Sequence, residues 1–454
     1  MSATRTGIDH SALDAALANL RDAPHWYIAY SGGVDSSALL HLVQQWALAH
    51  PGAPPVTALH VHHGLQAEAD QWQRHCDQFC HALGLPMITR RTDVQCTGRG
   101  TEAAARQARY GVFEEVLEAG DVLFLGHHLD DQVETFFLRL LRGAGVHGLA
   151  AMPQRRPLGK GVLLRPLLAL TREQLERYAA SHGLQWVADP SNADTSLDRN
   201  FLRANVLPLL ASRWPGYRQT VERASAHMAA TVSALESALP NPATCYTVVG
   251  DPGVDVAPLL AATEETAAIG LRQWLQQGRR LAPDQALLAE FLRQLRDSAK
   301  DRNPRLDCGK YVLQRYRDAV YLLPESAAPT ALRPIMLPPG EWRDVPGVGR
   351  VALERTRGAG LLLAADEPLR LDWRRGGEQC RPQGRHSGSL KKLLQEAAVP
   401  PWWRDRLPLL YLGDELLAVG GLWLCESSRW RPSAMPGEIL WALRWSAATA
   451  VSGD

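Results

Sequence analysis

Short apolar runs alternate with longer amphipathic runs over the first third of the chain. Trp26 to Tyr30 is aromatic and β-branched, the composition of a buried strand. Val56 to His63, Met87 to Arg91 and Val122 to Gly126 repeat that pattern. Between them lie stretches of helical periodicity: Ala38 to Ala47, Ala67 to Leu83 with Gly84 as a stop, Thr101 to Ala119, and Asp130 to Leu141. Ile8 to Arg21 reads as a helix ahead of the first strand. Short strands alternating with helices predict an α/β fold with a doubly wound parallel sheet covered on both faces. Such sheets bind ligands beyond the carboxyl ends of their strands. The polar residues just after strands are therefore the first candidates for chemistry: Ser31 to Ser36, His62-His63-Gly64, and His127 to Asp131.

The pattern changes near Ser212-Arg-Trp-Pro-Gly216. From Tyr217 to about Leu295 the chain is rich in Ala, Leu, Gln and Arg at helical spacing, interrupted near 239–257. Pro- and Gly-rich sequence from Pro324 to Gly349 reads as linker with short strands. We therefore expect an α/β domain over 1–214, a helical domain over 215–325, a linker with short strands over 326–365, and a small α+β C-terminal domain over 366–454. A length of 454 residues fits two or three domains.

Charge narrows the partners. The formal net charge is +1, so a polyanion would have to bind through local patches. One such patch is Arg370 to Arg431, with eleven basic residues against seven acidic ones, interleaved with Trp402, Trp403, Tyr411 and Trp423. Ser389 is placed to cap a helix whose first turn carries Lys391 and Lys392, an unfavourable place for cations unless they face an external anion. Basic residues among aromatics suit RNA, which is gripped by phosphate contacts and stacking. The seven cysteines are odd in number and scattered, so no disulfide framework is expected, and Cys76-x-x-x-Cys80 lacks the second pair a metal site needs. With no secretory signal pattern and no membrane-length apolar run, a cytoplasmic location is expected.

The chemistry centres on Ser31-Gly32-Gly33-Val34-Asp35-Ser36. A strand, a Gly-rich turn and a helix N-terminus (capped by Ser36 or Ser37) together form an anion site, because unpaired N–H groups and the helix dipole point at one spot. This is not the Walker A loop, which needs a lysine; here Asp35 sits inside the turn instead. A carboxylate beside phosphates makes sense if it holds Mg²⁺ or manages a proton. Asp131 and Glu134 are three apart and share a helix face near its N-terminus, where they could bind a cation. Glu102, Arg106 and Arg109 also share one face, and Arg139 and Arg142 open a basic, Gly-broken segment running to Met152. Asp189 to Asp194 reads as a turn cluster, followed by Arg199 and Arg203 at i, i+4.

The string SGGVDS looks like the pyrophosphate-binding loop of enzymes that cleave ATP between its α and β phosphates. The series SGGVDS, HHLDDQVET, RGAGVHGLAAM, LLRPLL, DPSNADTSLDRNFLR and RHSGSLKKLLQEAAVPPWWR resembles, in order, the tRNA(Ile)-lysidine synthetase family. Gln66 departs from it, since the family has arginine there. The resemblance implies a PP-loop ATP pyrophosphatase domain, followed by tRNA-binding domains. It implies a ligase, acting as a monomer or homodimer, that uses ATP and Mg²⁺ to join L-lysine to carbon 2 of the wobble cytidine of a tRNA(Ile) with a CAU anticodon. ATP first adenylates the cytosine oxygen; the lysine ε-amine then displaces AMP. By resemblance, Ser31, Gly32, Gly33, Val34, Asp35, Ser36 and Arg106 would contact the nucleotide, with Asp35 holding the metal. Asp35, His127 and Arg203 would serve catalysis, and Asp131 and Glu134 would hold the lysine. Arg109, Arg139, Arg142, Arg199, Arg385, Lys391 and Lys392 would contact tRNA. Two rivals stand beside this reading. A tRNA thiolase would need a catalytic cysteine pair or a Cys-x-x-Cys cluster site, and a non-catalytic RNA-binding protein would not need Asp35, Asp131 and Glu134.

Overall fold

The computed structural model describes residues 11–64, 68–92, 101–188, 194–239, 241–278, 280, 282–298, 302–325, 332–364, 367 and 369–448. The chain divides into two compact units, Met1–Ala238 and Leu239–Asp454.

In the first unit, α1 (Ser11–Ala18) leads into β1 (Trp26–Ala29), α2 (Val34–Ala49), β2 (Val56–His62), α3 (Ala69–Ala82), β3 (Met87–Arg91), α4 (Thr101–Val116) and β4 (Val122–Phe124). Then come α5 (Leu129–Leu141), α6 (Val146–Leu149), β5 (Arg155–Leu158), β6 (Gly161–Leu164) and α7 (Arg172–Ser181). The six strands form one sheet in the order β3-β2-β1-β4-β6-β5. All neighbours are parallel except the hairpin β5–β6. Alternate residues of each strand feed opposite faces. Trp26, Ile28, Val122, Phe124 and Leu164 join the core under α2 and α7, while Leu59, Leu123 and Leu163 pack with Phe113 of α4 and Leu117 just beyond it. The doubly wound expectation therefore holds.

Strand order reverses at β1: β2 and β3 lie on one side of it and β4 on the other. That reversal opens a crevice beyond the ends of β1 and β4. The loops that follow these two strands are Ser31–Gly33 and Gly126–His128. The unit closes with α8 (Asp198–Phe201), a π-helical turn (Leu202–Val206), α9 (Leu207–Arg213) and α10 (Tyr217–Ala238). α10 belongs to this unit, packing Tyr217 and Val221 against Val133 of α5, so the unit extends past the expected boundary at 214.

The second unit begins with β7 (Thr244–Tyr246), β8 (Pro252–Asp255), α11 (Val256–Ala261), α12 (Glu264–Gln277), α13 (Gln285–Asp297), β9 (Arg305–Asp307), β10 (Tyr311–Tyr316) and β11 (Ala319–Pro324). Its helices were expected; the sheet β7-β8-β11-β10-β9 beneath them was not. β7 to β9 are three or four residues long, and β10 and β11 are buried on both faces, so neither group leaves a period-two signal. The helices and the sheet share one core around Leu271, Phe291 and Leu313.

β12 (Ile335–Met336), β13 (Arg343–Val345), β14 (Gly349–Thr356), β15 (Gly360–Leu362) and β16 (Leu369–Asp372) follow. Then come β17 (Gln379–Cys380), β18 (Gly388–Ser389), α14 (Leu390–Glu396), α15 (Pro401–Arg404), β19 (Leu409–Leu412), β20 (Glu415–Val419), β21 (Trp423–Leu424), β22 (Trp430–Arg431) and β23 (Leu440–Ala447). Two five-stranded sheets, β12-β16-β19-β20-β21 and β13-β14-β23-β15-β22, enclose a shared core of Val351, Leu353, Leu371, Leu410 and Leu443. The stretch expected as a linker, 326–365, thus supplies strands to both sheets. β14 pairs with β23 over eight residues, from Gly349↔Ala447 to Thr356↔Leu440.

Candidate active site

The turn after β1 closes on itself. The Ser36 hydroxyl donates to the Gly33 carbonyl at 3.0 Å, lies 3.1 Å from Ser31 Oγ and accepts from the Ser31 N–H at 3.3 Å. Because Ser36 is turned back in this way, α2 starts at Val34 with Gly33 as its N-cap, inside the glycine turn. This corrects the expected start after a Ser36 or Ser37 cap. The first ladder bond runs from Ser37 N–H to the Gly33 carbonyl at 2.9 Å. The amides ahead of it are those a helix cannot satisfy internally, and they carry the positive end of its dipole.

Two glycines make the turn possible. Gly32 has φ +84°, and a Cβ there would lie 3.0 Å from Cys76 Sγ. Gly126, after β4, lets that chain pass so close that a Cβ would meet the Asp35 carbonyl at 3.1 Å and the Ser36 nitrogen at 3.2 Å. Both obstacles are backbone and cannot yield. Val187 N–H ties the turn down from a third side, donating to the Gly32 carbonyl at 2.8 Å.

Asp35 stands in the first turn of α2. Its Oδ2 is 3.6 Å from His128 Nε2. Its Oδ1 is buried and makes no hydrogen bond among the described residues. A buried carboxylate oxygen without a donor is costly unless something else binds it. A hard cation such as Mg²⁺ fits that oxygen and takes its remaining ligands from water and phosphate. Among the described residues no group of three or more His, Cys, Asp or Glu could hold a metal by itself.

His127 and His128 are neighbours with opposite surroundings. His128 is buried and caps α5: its Nδ1 accepts from the Asp131 N–H, and the Asp131 carboxylate accepts from the His128 N–H at 3.1 Å. Burial opposes its charged form, but the carboxylates of Asp35, Asp131 and Asp130 outweigh this and raise its pKa. His127 is held well below the usual range, first by burial and then by Arg165, Arg106, Arg109 and Arg199. Arg165 Nε donates to His127 Nδ1 at 3.3 Å, so the neutral ring carries its proton on Nε2.

Arg165 itself is buried and also donates to the Pro153 carbonyl at 2.7 Å. Tyr110 lies beneath the guanidiniums of Arg106 and Arg156, with ring centroids 4.9 and 5.1 Å away. Sequence reasoning gave no role to Arg165, Tyr110, Arg156 or Gly126. The one available signal was Arg165 standing alone in the apolar run LLRPLL.

Glu134 is fully buried. Arg203 grips it with two parallel bonds, Nε at 2.7 Å and Nη2 at 3.0 Å, and Arg199 Nε approaches at 3.4 Å. Its pKa is raised by burial, which the two guanidiniums counter only in part. The expectation that Glu134 holds the lysine directly is therefore corrected: its carboxylate is already occupied by two cations. Asp131, 14% exposed in its side chain, is the open acid of the pair. Arg203 lies in the π-helical turn, a local widening that often marks functional positions.

The remaining arginines differ in how they are used. Arg199 also donates to Thr135 Oγ1 at 3.1 Å. Arg139 donates to the carbonyls of Gly148 at 2.9 Å and Ala151 at 2.7 Å, fixing the Gly-broken segment. Both were expected on tRNA; in the structure Arg139 is committed to internal carbonyls, while Arg199 is bonded to Thr135 and Glu134 and remains 29% exposed. Arg142 is exposed, 3.3 Å from Asp198. Arg109 is near enough to His63 that, after burial, it is the largest cause holding that ring's pKa down to about 4. In the second unit Arg385, Lys391 and Lys392 are exposed, and Ser389 is the N-cap of α14 without a side-chain bond. Gln66, Cys96, the Glu102 side chain and residues 189–193 lie outside the described residues.

Cys76 and Cys80 are buried, and burial pushes both thiols up to about 12, so neither is a nucleophile at neutral pH. Among the described residues no helix is long and apolar enough to cross a membrane.

Residues 8–210 match the PP-loop domain family, residues 255–321 the TilS substrate binding domain, and residues 369–445 the TilS substrate C-terminal domain. The tRNA(Ile)-lysidine synthase of Pseudomonas aeruginosa is 42% identical over 450 residues, 97% of either chain. That of Coxiella burnetii is 37% identical over 414 residues, 90% of this chain and 91% of that one. That of Escherichia coli O157:H7 is 38% identical over 404 residues, 87% of this chain and 91% of that one. With the crevice, its loop and both later domains matched along nearly the whole length, the chain belongs to the tRNA(Ile)-lysidine synthase family.

Proposed function

We propose that this protein joins L-lysine to carbon 2 of the wobble cytidine in a tRNA(Ile) with a CAU anticodon, converting ATP to AMP and pyrophosphate. The product base pairs with adenosine, so decoding changes from AUG to AUA and identity from methionine to isoleucine. Carbon 2 bears a poor leaving oxygen. Attack of that oxygen on the α phosphate of ATP turns it into a good one and releases pyrophosphate. The first-turn amides of α2 and the Ser31–Ser36 turn lie where the departing pyrophosphate needs donors. Asp35 would hold Mg²⁺, which offsets phosphate charge when bound.

The lysine then adds at carbon 2 and AMP leaves. Free lysine has an ε-ammonium pKa of about 10.4, so only about one molecule in a few thousand is a nucleophile at neutral pH. A carboxylate beside that end would worsen this. Asp131 therefore takes the α-ammonium, and the ε-amine lies toward the arginine-rich side around His127. His127, neutral and protonated on Nε2, donates a hydrogen bond to the adenylated base or phosphate. Glu134 aims Arg203 and Arg199 at the same anion. Arg106 and Arg109 extend this basic wall toward the nucleotide and tRNA, and Arg142, Arg385, Lys391 and Lys392 offer phosphate contacts outside it.

The observation that carries the reading is the uncommitted, buried Asp35 oxygen at the N-terminus of α2. The test is pyrophosphate release from ATP, measured with and without lysine and a CAU-anticodon transcript, alongside incorporation of labelled lysine. Release should require the transcript, and incorporation both partners. Cleavage of ATP between the β and γ phosphates, or release indifferent to the transcript, would sink the proposal.

A further inference from the structure

Cys380 ends β17 and Cys425 follows β21. Backbone bonds bind the two segments side by side: Gln383 N–H to the Leu424 carbonyl at 3.0 Å, and Glu426 N–H to the Arg381 carbonyl at 2.7 Å. Pro382 bridges Cys425 in antiparallel fashion. On an extended chain, residues two apart share a face, so Cys380 and Cys425 form a diagonal cross-strand pair. Their sulfurs are 3.0 Å apart and the residues only 3% and 2% exposed. Trp423 Nε1 donates to Cys380 Sγ at 3.3 Å.

The two thiols are not equivalent. The thiols share one S–H···S bond, either able to donate; the Trp423 indole N–H points at Cys380 and favours its ionised form, which makes Cys380 the sulfur whose pKa is lowered. The other described cysteines, Cys76, Cys80, Cys245 and Cys308, all have raised pKa values through burial. Among the described cysteines, Cys380 and Cys425 have their sulfurs in direct contact at 3.0 Å, so one can resolve an oxidised form of the other.

We propose that Cys380 and Cys425 form an oxidisable dithiol that closes to a disulfide when the protein meets a hydroperoxide small enough to reach them. The Cys380 thiolate attacks one peroxide oxygen; an S–O bond forms, the O–O bond breaks, and the departing hydroxide takes up the Cys380 proton as water. Cys425 then attacks the Cys380 sulfur. The S–S bond forms, the S–O bond breaks, and the hydroxide leaves as a second water with the Cys425 proton. Two thiols are oxidised and one peroxide is reduced. The cross-link brackets residues 381–424, which include Arg385, Lys391, Lys392 and the Trp402-Trp403 pair. Neither sulfur belongs to the first unit, which carries the proposed ligation residues.

The experiment treats the full chain with hydrogen peroxide, alkylates remaining thiols and maps peptides without reductant. A cross-linked peptide joining Cys380 to Cys425 is expected, reversed by dithiothreitol, with Cys76 and Cys80 still alkylatable. Closing a loop of this length should raise the melting temperature of the second unit by roughly 5 °C or more. In Cys425→Ser, Cys380 should stop at sulfenic acid, captured by dimedone, with no thermal shift. The wild-type peptide map decides the matter whether or not the variant folds. Both thiols remaining alkylatable, a cross-link to another cysteine, or Cys380 going directly to sulfinic acid would overturn the proposal.

Discussion

Glu134 in the first unit and Asp251 in the second are both fully buried carboxylates with pKa values raised by burial. They are held in different ways, and Asp251 Oδ1 has no hydrogen-bond partner among the described residues. Glu134 is held by two guanidiniums, Arg203 and Arg199. Among the described residues, Asp251 is held by neutral donors, which all meet its Oδ2: Trp403 Nε1 at 2.7 Å, Trp402 Nε1 at 3.1 Å and Thr247 Oγ1 at 2.9 Å. The first arrangement positions cations that are each about a third exposed, at the edge of the crevice. The second contains no cation; it fastens α15 of the β-rich part to the turn before β8. A buried acid paired with arginine presents charge to a ligand, whereas a buried acid ringed by indoles is a structural pin.

The strongest test removes the cation and keeps the acid. Arg203→Ala should lower kcat by about 10²–10³-fold, the usual consequence of losing one aimed donor to a developing anion. Single-turnover formation of lysidine would measure it. A loss confined to the lysine KM would show that Arg203 serves binding and break the comparison. Removing the acid comes next. Glu134→Ala leaves Arg203 and Arg199 without their shared partner and should cost about 3 kcal/mol in denaturant unfolding of the first unit. Arg203 and Arg199 are partly solvated, so the cost falls at the low end for a broken buried pair.

Asp251 should respond differently to two substitutions. Asp251→Ala strands two indoles and a hydroxyl and should destabilise the second unit by about 2 kcal/mol. Asp251→Asn keeps an acceptor for them and removes the buried charge. Because folding raises the Asp251 pKa, the folded state binds its proton more tightly than the unfolded chain does. Its favourable contribution is full below the unfolded pKa of 3.8 and is lost as pH rises through the folded value. The stability of Asp251→Asn relative to wild type should therefore grow between pH 4 and pH 7. A difference that is flat or shrinks over that range would mean Asp251 has a cationic partner after all.

Asp131→Asn should have a smaller effect still. The amide oxygen can keep the cap bond from His128 N–H, so the start of α5 survives. On the proposed function the loss is the charge that would face the lysine α-ammonium, and the lysine KM should rise by about tenfold, the scale of one charged hydrogen bond. Adenylate formation should be spared. An equal defect in pyrophosphate release with lysine absent would show that Asp131 serves the nucleotide.

The parts of this molecule that were legible in sequence are those with local signals. Trp26–Ala29, Val56–His62 and Val122–Phe124 are mainly apolar runs, Met87–Arg91 is a mixed one, and all four are strands. The glycine turn with Asp35 was legible because its spelling carries its geometry. The partners of Glu134 were not: Arg203 is 69 residues away, and nothing in the spacing of Asp131 and Glu134 shows that one acid is open and the other closed. Asp251 was silent for the same reason, since its indole donors lie 151 and 152 residues further on. β12 to β15 fall in the stretch expected as linker with short strands; their pairing was not legible, since β12 meets β16 and β14 and β15 meet β23, far along the chain.

The same contrast extends to the basic residues. In the first unit Arg139 and Arg199 spend their donors on internal oxygens. In the second, Lys391 and Lys392 stand exposed in the first turn of α14, and Lys392 has only Glu396 at 3.8 Å, a solvated pair worth little. Replacing either lysine with alanine should leave stability within about 0.5 kcal/mol. It should weaken tRNA binding evenly across sequences and reduce the salt dependence of the affinity by about one unit of slope. Titrations from low to physiological salt would resolve that change. A variant that loses stability instead, or binds tRNA with an unchanged slope, would mean these cations are committed internally as Arg139 is. Lys391 and Lys392 would then join Arg139, and the buried Arg315 of their own unit, as cations committed to internal oxygens.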